Sequence, residues 1–166
     1  MNQTNVHDYF HGHGRIEYST PQWLFDALNA EFGFTLDAAA SPDNAKCKRF
    51  FTKDDCGLEK DWGDEVVWCN PPYGKGVTGV WARKCYQASR GGGATVVMLV
   101  PVRADAKWFH DYAMKGEVRL FRNRLNFNND HGAKWYAPFA SAVVVFRPAN
   151  FALTSFPDVK ELGYRA

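Results

Sequence analysis

Asn70-Pro71-Pro72-Tyr73 follows directly on the apolar run Val66-Val67-Trp68-Cys69, so a strand is expected to break there into a doubly prolyl, aromatic turn. Each proline fixes its own φ at about −65°, lacks an N–H and pushes the preceding residue toward extended geometry. The turn therefore has little backbone freedom, and the carbonyls of Asn70 and Pro71 are left to accept. An exocyclic amine can donate its two hydrogens to the Asn70 side-chain oxygen and the Pro71 backbone oxygen, which leaves the nitrogen lone pair directed at an electrophile. Tyr73 offers a flat face to a base removed from its stack, an interaction worth about 1–3 kcal/mol. These roles fit methyl transfer to an amino nitrogen. The competing reading is an ordinary strand-ending turn, which Pro-Pro favours by itself. Cys69 has no basic partner in the motif, so a nucleophilic role, as in methylation of cytosine C5, is not expected.

Other motifs accompany the turn in a fixed order. Tyr18-Ser19-Thr20-Pro21-Gln22-Trp23-Leu24-Phe25 comes first, then Phe34-Thr35-Leu36-Asp37-Ala38-Ala39-Ala40-Ser41-Pro42 and Asp55-Cys56-Gly57-Leu58; Trp68 to Gly74 and Val97-Met98-Leu99-Val100-Pro101 follow. This ordered set resembles the small bacteriophage and prophage DNA N6-adenine methyltransferases of the Dam type, over about residues 15 to 147. The resemblance implies S-adenosylmethionine as cofactor and double-stranded DNA as partner, with a phage or prophage protein at work in the bacterial cytoplasm. It also implies that Asn70, Pro71, Pro72 and Tyr73 are catalytic, and that a flipped adenine attacks the sulfonium methyl in line, without a covalent enzyme intermediate. The same amine geometry suits cytosine N4, RNA or protein glutamine. A catalytically silent nucleic-acid binding module of this fold is the alternative from outside enzymology.

Several elements must position these residues. With 166 residues, of which 46% are hydrophobic, the chain is expected to form one domain with a real core at 15–149, between an N-terminal arm at 1–14 and a weakly structured tail at 150–166. Thr20 reads as an N-cap and Pro21 as a first helical residue, opening a helix over 21–31 with Leu24, Ala27 and Leu28 inward. Short strands are expected at Phe34–Leu36 and Phe50–Phe51, a catalytic strand at Val66–Cys69 and an amphipathic helix over 77–89 stopped by Gly91-Gly92-Gly93. Thr95–Val100 is continuously apolar, as suits a strand covered on both faces. Asp105 can cap a short helix, and strands are expected at about 117–121, 124–127 and 141–146. The alternation gives an α/β, Rossmann-like sheet of the S-adenosylmethionine-dependent methyltransferase type, mostly parallel with an antiparallel edge strand and helices on both faces.

The net charge of +2 confines any DNA contact to a local patch. Lys75, Arg119, Arg122, Arg124 and Lys134 are candidates to meet phosphates, with Asn126 set to read a base edge and Phe127 as a second wall for the base. A solvated hairpin with core aromatics explains the same residues equally well. For the cofactor, Asp37 ends a strand and can take charge-assisted hydrogen bonds from the amino acid portion, while Ala38, Ala39 and Ser41 let a ligand approach the backbone. An N-cap for the next turn is the rival role for Asp37. Thr20 and Pro21 open a helix that can face a carboxylate, or simply cap it. Asp54 and Asp55 are candidates for the adenosine part, with a plain turn residue as the rival role for one of the two. Four cysteines without Cys-x-x-Cys spacing and no long apolar segment point to reduced thiols and no membrane role. His7, His11 and His13 lack a matching cysteine or carboxylate, so no metal site is expected. The oligomeric state and the DNA recognition sequence are not legible.

Overall fold

The computed structural model describes residues 18–128, 134–149 and 160–162. In chain order the elements are α1 (Gln22–Phe32), β1 (Leu36–Asp37), β2 (Arg49–Phe50), β3 (Val66–Cys69), α2 (Val77–Gly92) and β4 (Thr95–Pro101). They continue with α3 (Lys107–Asp111), a 3-10 turn at Ala113–Lys115, β5 (Glu117–Phe121), β6 (Asn126–Asn128), β7 (Lys134–Tyr136), β8 (Ser141–Phe146) and β9 (Lys160–Leu162). Seven strands form one sheet in the order β2-β1-β3-β4-β8-β5-β9, and β6 and β7 make a separate ribbon. β8 runs antiparallel to both β4 and β5, while every other neighbouring pair in the large sheet is parallel. This is the mixed α/β, Rossmann-like class that the alternation of elements implies.

Period-two alternation sorts the central strands between two cores. Val96, Met98 and Val100 of β4, with Ala142, Val144 and Phe146 of β8, pack under α2 and α3, against Val77, Trp81, Cys85 and Phe109. Val97, Leu99, Val143 and Val145 face the other way, toward Leu24, Phe25 and Leu28 of α1 and toward Leu125 and Phe127. Both faces are therefore dry, which is why β4 shows no polar position after its half-buried first residue, Thr95. Each buried side chain of this size contributes about 1.5–3 kcal/mol.

The differences from the sequence reading are local. α1 buries Leu24, Phe25 and Leu28 and leaves Ala27 exposed, since the larger Phe25 takes the inward position. Its N-cap is Pro21, and no side chain caps it. It ends at Gly33, whose φ of 69° suits glycine; the Gly33 N–H donates to the Asn29 carbonyl and the Phe34 N–H to the Asn29 side chain, each at 2.8 Å. Asp105 does not cap α3: Ala106 holds that position, and the Asp105 carboxylate pairs with Arg103. Between the strands expected at 124–127 and 141–146, Lys134–Tyr136 forms β7, paired with β6. Lys160–Leu162, within the stretch read as a weakly structured tail, forms β9 parallel to β5. The arm with His7, His11 and His13 lies outside the described residues.

Candidate active site at the switch point of the sheet

The chain leaves β1 for β2 on one side and returns to β3 on the other. Ligands of open α/β sheets bind outside the carboxyl ends of the strands at such a reversal. The carboxyl end of β1 delivers Asp37, Ala38 and Ala39; that of β3 delivers Asn70 to Tyr73, and α2 begins at Val77 right after the turn. α1 has its first residue at this end and its last at the other, so Thr20 and Pro21 meet the turn.

Asn70 is held from two sides. Its amide nitrogen donates to the Tyr18 carbonyl at 2.6 Å and to the Thr20 hydroxyl at 3.1 Å. A carbonyl can only accept, so the nitrogen faces Tyr18 and Oδ1 must point away. Oδ1 accepts from the Tyr73 hydroxyl at 2.8 Å, which also lies 3.2 Å from the Leu99 carbonyl. One lone pair of Oδ1 remains available. The Pro71 carbonyl takes no hydrogen bond among the described residues. Oδ1 and the Pro71 carbonyl are thus two acceptors with spare capacity on a turn whose backbone Pro71 and Pro72 restrict.

Aromatic rings surround this point. Tyr73 stacks on Tyr18 with centroids 5.6 Å apart and meets the edge of Phe139 at 5.7 Å. Tyr18 also touches Phe139 at 5.3 Å and Phe127 at 5.0 Å. Phe127 is buried beneath this group, whereas Tyr18, Tyr73 and Phe139 are half-buried. The rings adjoining the turn are therefore Tyr18 and Phe139, to which the sequence reading gave no role; Ala137-Pro138-Phe139 ending a polar stretch was the only signal. Burial pushes the Tyr73 phenol well above its ordinary range, so it stays a neutral donor. Burial also raises the Cys69 thiol, and a hydrogen bond with Cys85 adds to this.

At β1, Asp37 is 3% exposed and organises its own loop. One carboxylate oxygen accepts from the Lys46 N–H at 3.0 Å and the other from the Ala39 N–H at 3.4 Å. Burial raises this carboxyl above its ordinary 3.8, and the two N–H groups pull the other way. Each oxygen keeps accepting capacity. Gly57 packs against this loop so closely that a Cβ there would lie 2.3 Å from the Ala38 carbonyl oxygen. The Asp55–Gly57 turn is thus joined to the β1 loop by steric fit, and any side chain at 57 forces them apart. Asp55 itself is exposed and accepts from the Thr52 N–H and hydroxyl, bonds that lower its carboxyl. Asp54 is exposed nearby, and Ser41 is half-buried in the loop.

The basic residues separate into groups. Lys75 is exposed beside the Asn70–Tyr73 turn, and Arg122 and Arg124 are exposed near the ribbon, Arg124 reaching the Ala137 carbonyl at 3.3 Å. Asn126 is half-buried with its Oδ1 enclosed, and only the strand position of Lys134 is described. Arg119 does not belong to a DNA-facing set. It is 4% exposed, bidentate to Glu31 at 2.7 Å for each bond, and bonded to Glu117 at 2.8 Å. Arg147 completes this network on Glu117 at 2.6 Å. The inward position of Arg119 on β5 overrides its basic character.

Among the described residues no group of His, Cys, Asp or Glu could hold a metal, and no helix is long and apolar enough to cross a membrane. A family model described as DNA N-6-adenine-methyltransferase (Dam) matches residues 12–161. The DNA N-6-adenine-methyltransferase of Haemophilus phage HP1 (strain HP1c1) is 32% identical over 120 residues, covering 69% of this chain and 68% of that protein. A protein of the same description from Escherichia phage T1 is 31% identical over 94 residues, 55% of this chain and 38% of that one.

Proposed function

The chain belongs to the Dam family of DNA N-6-adenine-methyltransferases, and from that membership we propose that it methylates N6 of a flipped adenine at specific sites in double-stranded DNA. The observation that carries the reading is the anchored Asn70 amide, with Oδ1 and the Pro71 carbonyl as adjacent acceptors. An adenine amine between them gives one hydrogen to each, and its lone pair faces outward.

S-adenosylmethionine, when bound, supplies an electrophilic methyl on a sulfonium. The residues at the switch point fit it in chemical character. The start of α1, just after Thr20 and Pro21, presents the positive end of the helix dipole to a carboxylate. Asp37 offers residual acceptors to an ammonium, and Ala38, Ala39 and Ser41 leave the backbone approachable. Asp54 and Asp55 are on the turn that packs beside this loop and serve the adenosine part. In the transfer the N6–methyl bond forms as the carbon–sulfur bond breaks, leaving S-adenosylhomocysteine. One N6 proton then passes to water. Asn70 and Pro71 hold the amine while Tyr18, Tyr73 and Phe139 receive the base, which offsets the few kcal/mol that extrusion costs. Lys75, Arg122, Arg124 and Lys134 contact phosphates, with Asn126 at a base edge. The reaction belongs to the cytoplasm of a bacterial host.

Incubation with methyl-labelled S-adenosylmethionine and unmodified duplex DNA, followed by digestion to nucleosides, tests this. Labelled N6-methyladenine is the expected product. Labelled N4-methylcytosine, or label only in RNA or protein, would sink the substrate assignment; failure to bind the cofactor would favour a silent binding module.

A further inference from the structure

We propose that Thr20 is a positioning residue of the reaction, whose hydroxyl oxygen holds the second amide hydrogen of the catalytic Asn70 in the orientation that the Tyr18 carbonyl selects. The inference rests on the function proposed above and gives Thr20 a task beyond helix capping or carboxylate binding. A primary amide has two ends of nearly equal size, and only one is useful here. If the amide turned over, its NH2 would face the incoming adenine amine, donor against donor. Each of the contacts on Asn70 bears on that choice. The Tyr73 hydroxyl can donate or accept, so it serves either orientation. The Tyr18 carbonyl accepts only, and at 2.6 Å it holds one amide hydrogen. The Tyr18 carbonyl thus selects the orientation, and the Thr20 hydroxyl oxygen, 3.1 Å away, accepts the second hydrogen and fixes the amide in its plane. With both hydrogens occupied, the productive orientation has all its donors satisfied.

The setting of Thr20 supports this. It is 7% exposed, lies just before the N-cap Pro21, and makes no capping bond to α1. Its side-chain oxygen is therefore not consumed by the helix it precedes. Because Pro21 follows and caps the helix, the position of Thr20 is tied to α1, and α1 is locked to the sheet through Leu24, Phe25 and Leu28. The element proposed to face the cofactor thus also sets the acceptor for the substrate amine.

The test compares Thr20→Val, which removes the acceptor at nearly constant shape, with Thr20→Ser, which keeps it, in the full chain. We expect Thr20→Val to lower kcat at least tenfold at saturating cofactor and DNA, with KM for DNA and Kd for S-adenosylmethionine within about threefold of wild type. Thr20→Ser should retain most of the wild-type kcat. Should the valine variant not fold, Thr20→Ala carries the same expectation with less bulk. Wild-type kcat in Thr20→Val or Thr20→Ala overturns the proposal. So does a weakened cofactor Kd with kcat preserved, which would make Thr20 a ligand contact, and so does equal loss in the serine variant. An inactive wild-type protein instead refutes the methyltransferase reading itself, so the two failures are distinct.

Discussion

Two clusters of hydrogen-bonded polar side chains lie at opposite ends of α1. At its amino end, Asn70, Thr20 and Tyr73 meet at the carboxyl edge of the sheet. At its carboxyl end, Glu31 joins Arg119, Glu117 and Arg147 at the start of β5 and the end of β8. Both are built from short hydrogen bonds, and both tie α1 to the sheet. They differ in what is left over. Arg119 directs three of its nitrogens at carboxylates, and its guanidinium also lies over the Phe32 ring at 5.3 Å. The Asn70 cluster instead keeps a lone pair on Oδ1 and an unengaged Pro71 carbonyl. Polar burial therefore does not mark a site by itself; unfilled bonding capacity at the right edge of the sheet does.

Breaking the closed cluster should produce the largest effect. Arg119→Ala leaves the enclosed Glu117 with Arg147 alone as partner, so the cost lies below the roughly 3–5 kcal/mol of a buried charge left wholly unpaired. The expected outcome in denaturant titration is a large loss of stability, with DNA affinity of the folded fraction unchanged. Weakened DNA binding at unchanged stability would return Arg119 to the DNA-contacting surface. Breaking the open cluster should do the reverse. Asn70→Ala removes a preorganised polar group from the reacting amine, and losses on the order of 10²–10³ in kcat are typical of such removals. Melting and cofactor binding should stay close to wild type. If the protein unfolds instead, the turn is structural first.

The pH dependence separates the ends by sign. The Arg119 hydrogen bonds hold the Glu31 carboxyl below its ordinary 4.5; burial raises Glu117, but Arg119 and Arg147 outweigh it and hold that carboxyl low as well. For a depressed carboxyl, the stabilisation is present above the ordinary value and is lost as pH falls through 4.5 toward the lower folded value. Asp37 is raised by burial, so its ionisation costs stability as pH rises through its ordinary 3.8, and protonation relieves that cost. Stability measured from pH 6 to pH 3 should therefore fall with acid, and the fall should shrink in Arg119→Ala. An unaltered acid dependence in that variant would show that carboxylates elsewhere control it.

Much of this was legible in the sequence, for reasons that also explain the misses. Pro71 and Pro72 restrict the backbone locally, so the turn and its placement after β3 could be read without tertiary information. The apolar runs of β4 and β8 report a sheet covered on both faces. Arg119 could not be read, because β5 alternates Glu117 and Arg119 inward; a charge pair satisfied by Glu31, far away in sequence, looks on paper like a basic surface. Tyr18 and Phe139 were missed because an aromatic residue next to a turn carries no mark of which distant ring it will meet. The role of Thr20 depends on an amide fifty positions away. β9 has the composition of a tail, and its pairing with β5 is set by the sheet rather than by its own pattern.

The smallest expected effect lies on the surface, where the comparison applies to charge. Lys75 is exposed beside the catalytic turn and makes no ion pair among the described residues, unlike Arg119. If the turn meets DNA as proposed, a lysine so placed adds to affinity by releasing counterions from a phosphate, a contribution independent of sequence. Lys75→Ala should therefore weaken binding equally for different duplexes and reduce the slope of log K against log salt by about 1, with kcat at saturating DNA little changed. Arg119→Ala should leave that slope as it is. If the slopes respond the other way round, the phosphate-facing surface has been placed at the wrong end of α1; if neither responds, the contacts come from Arg122, Arg124 and the ribbon, and the catalytic turn meets only the extruded base.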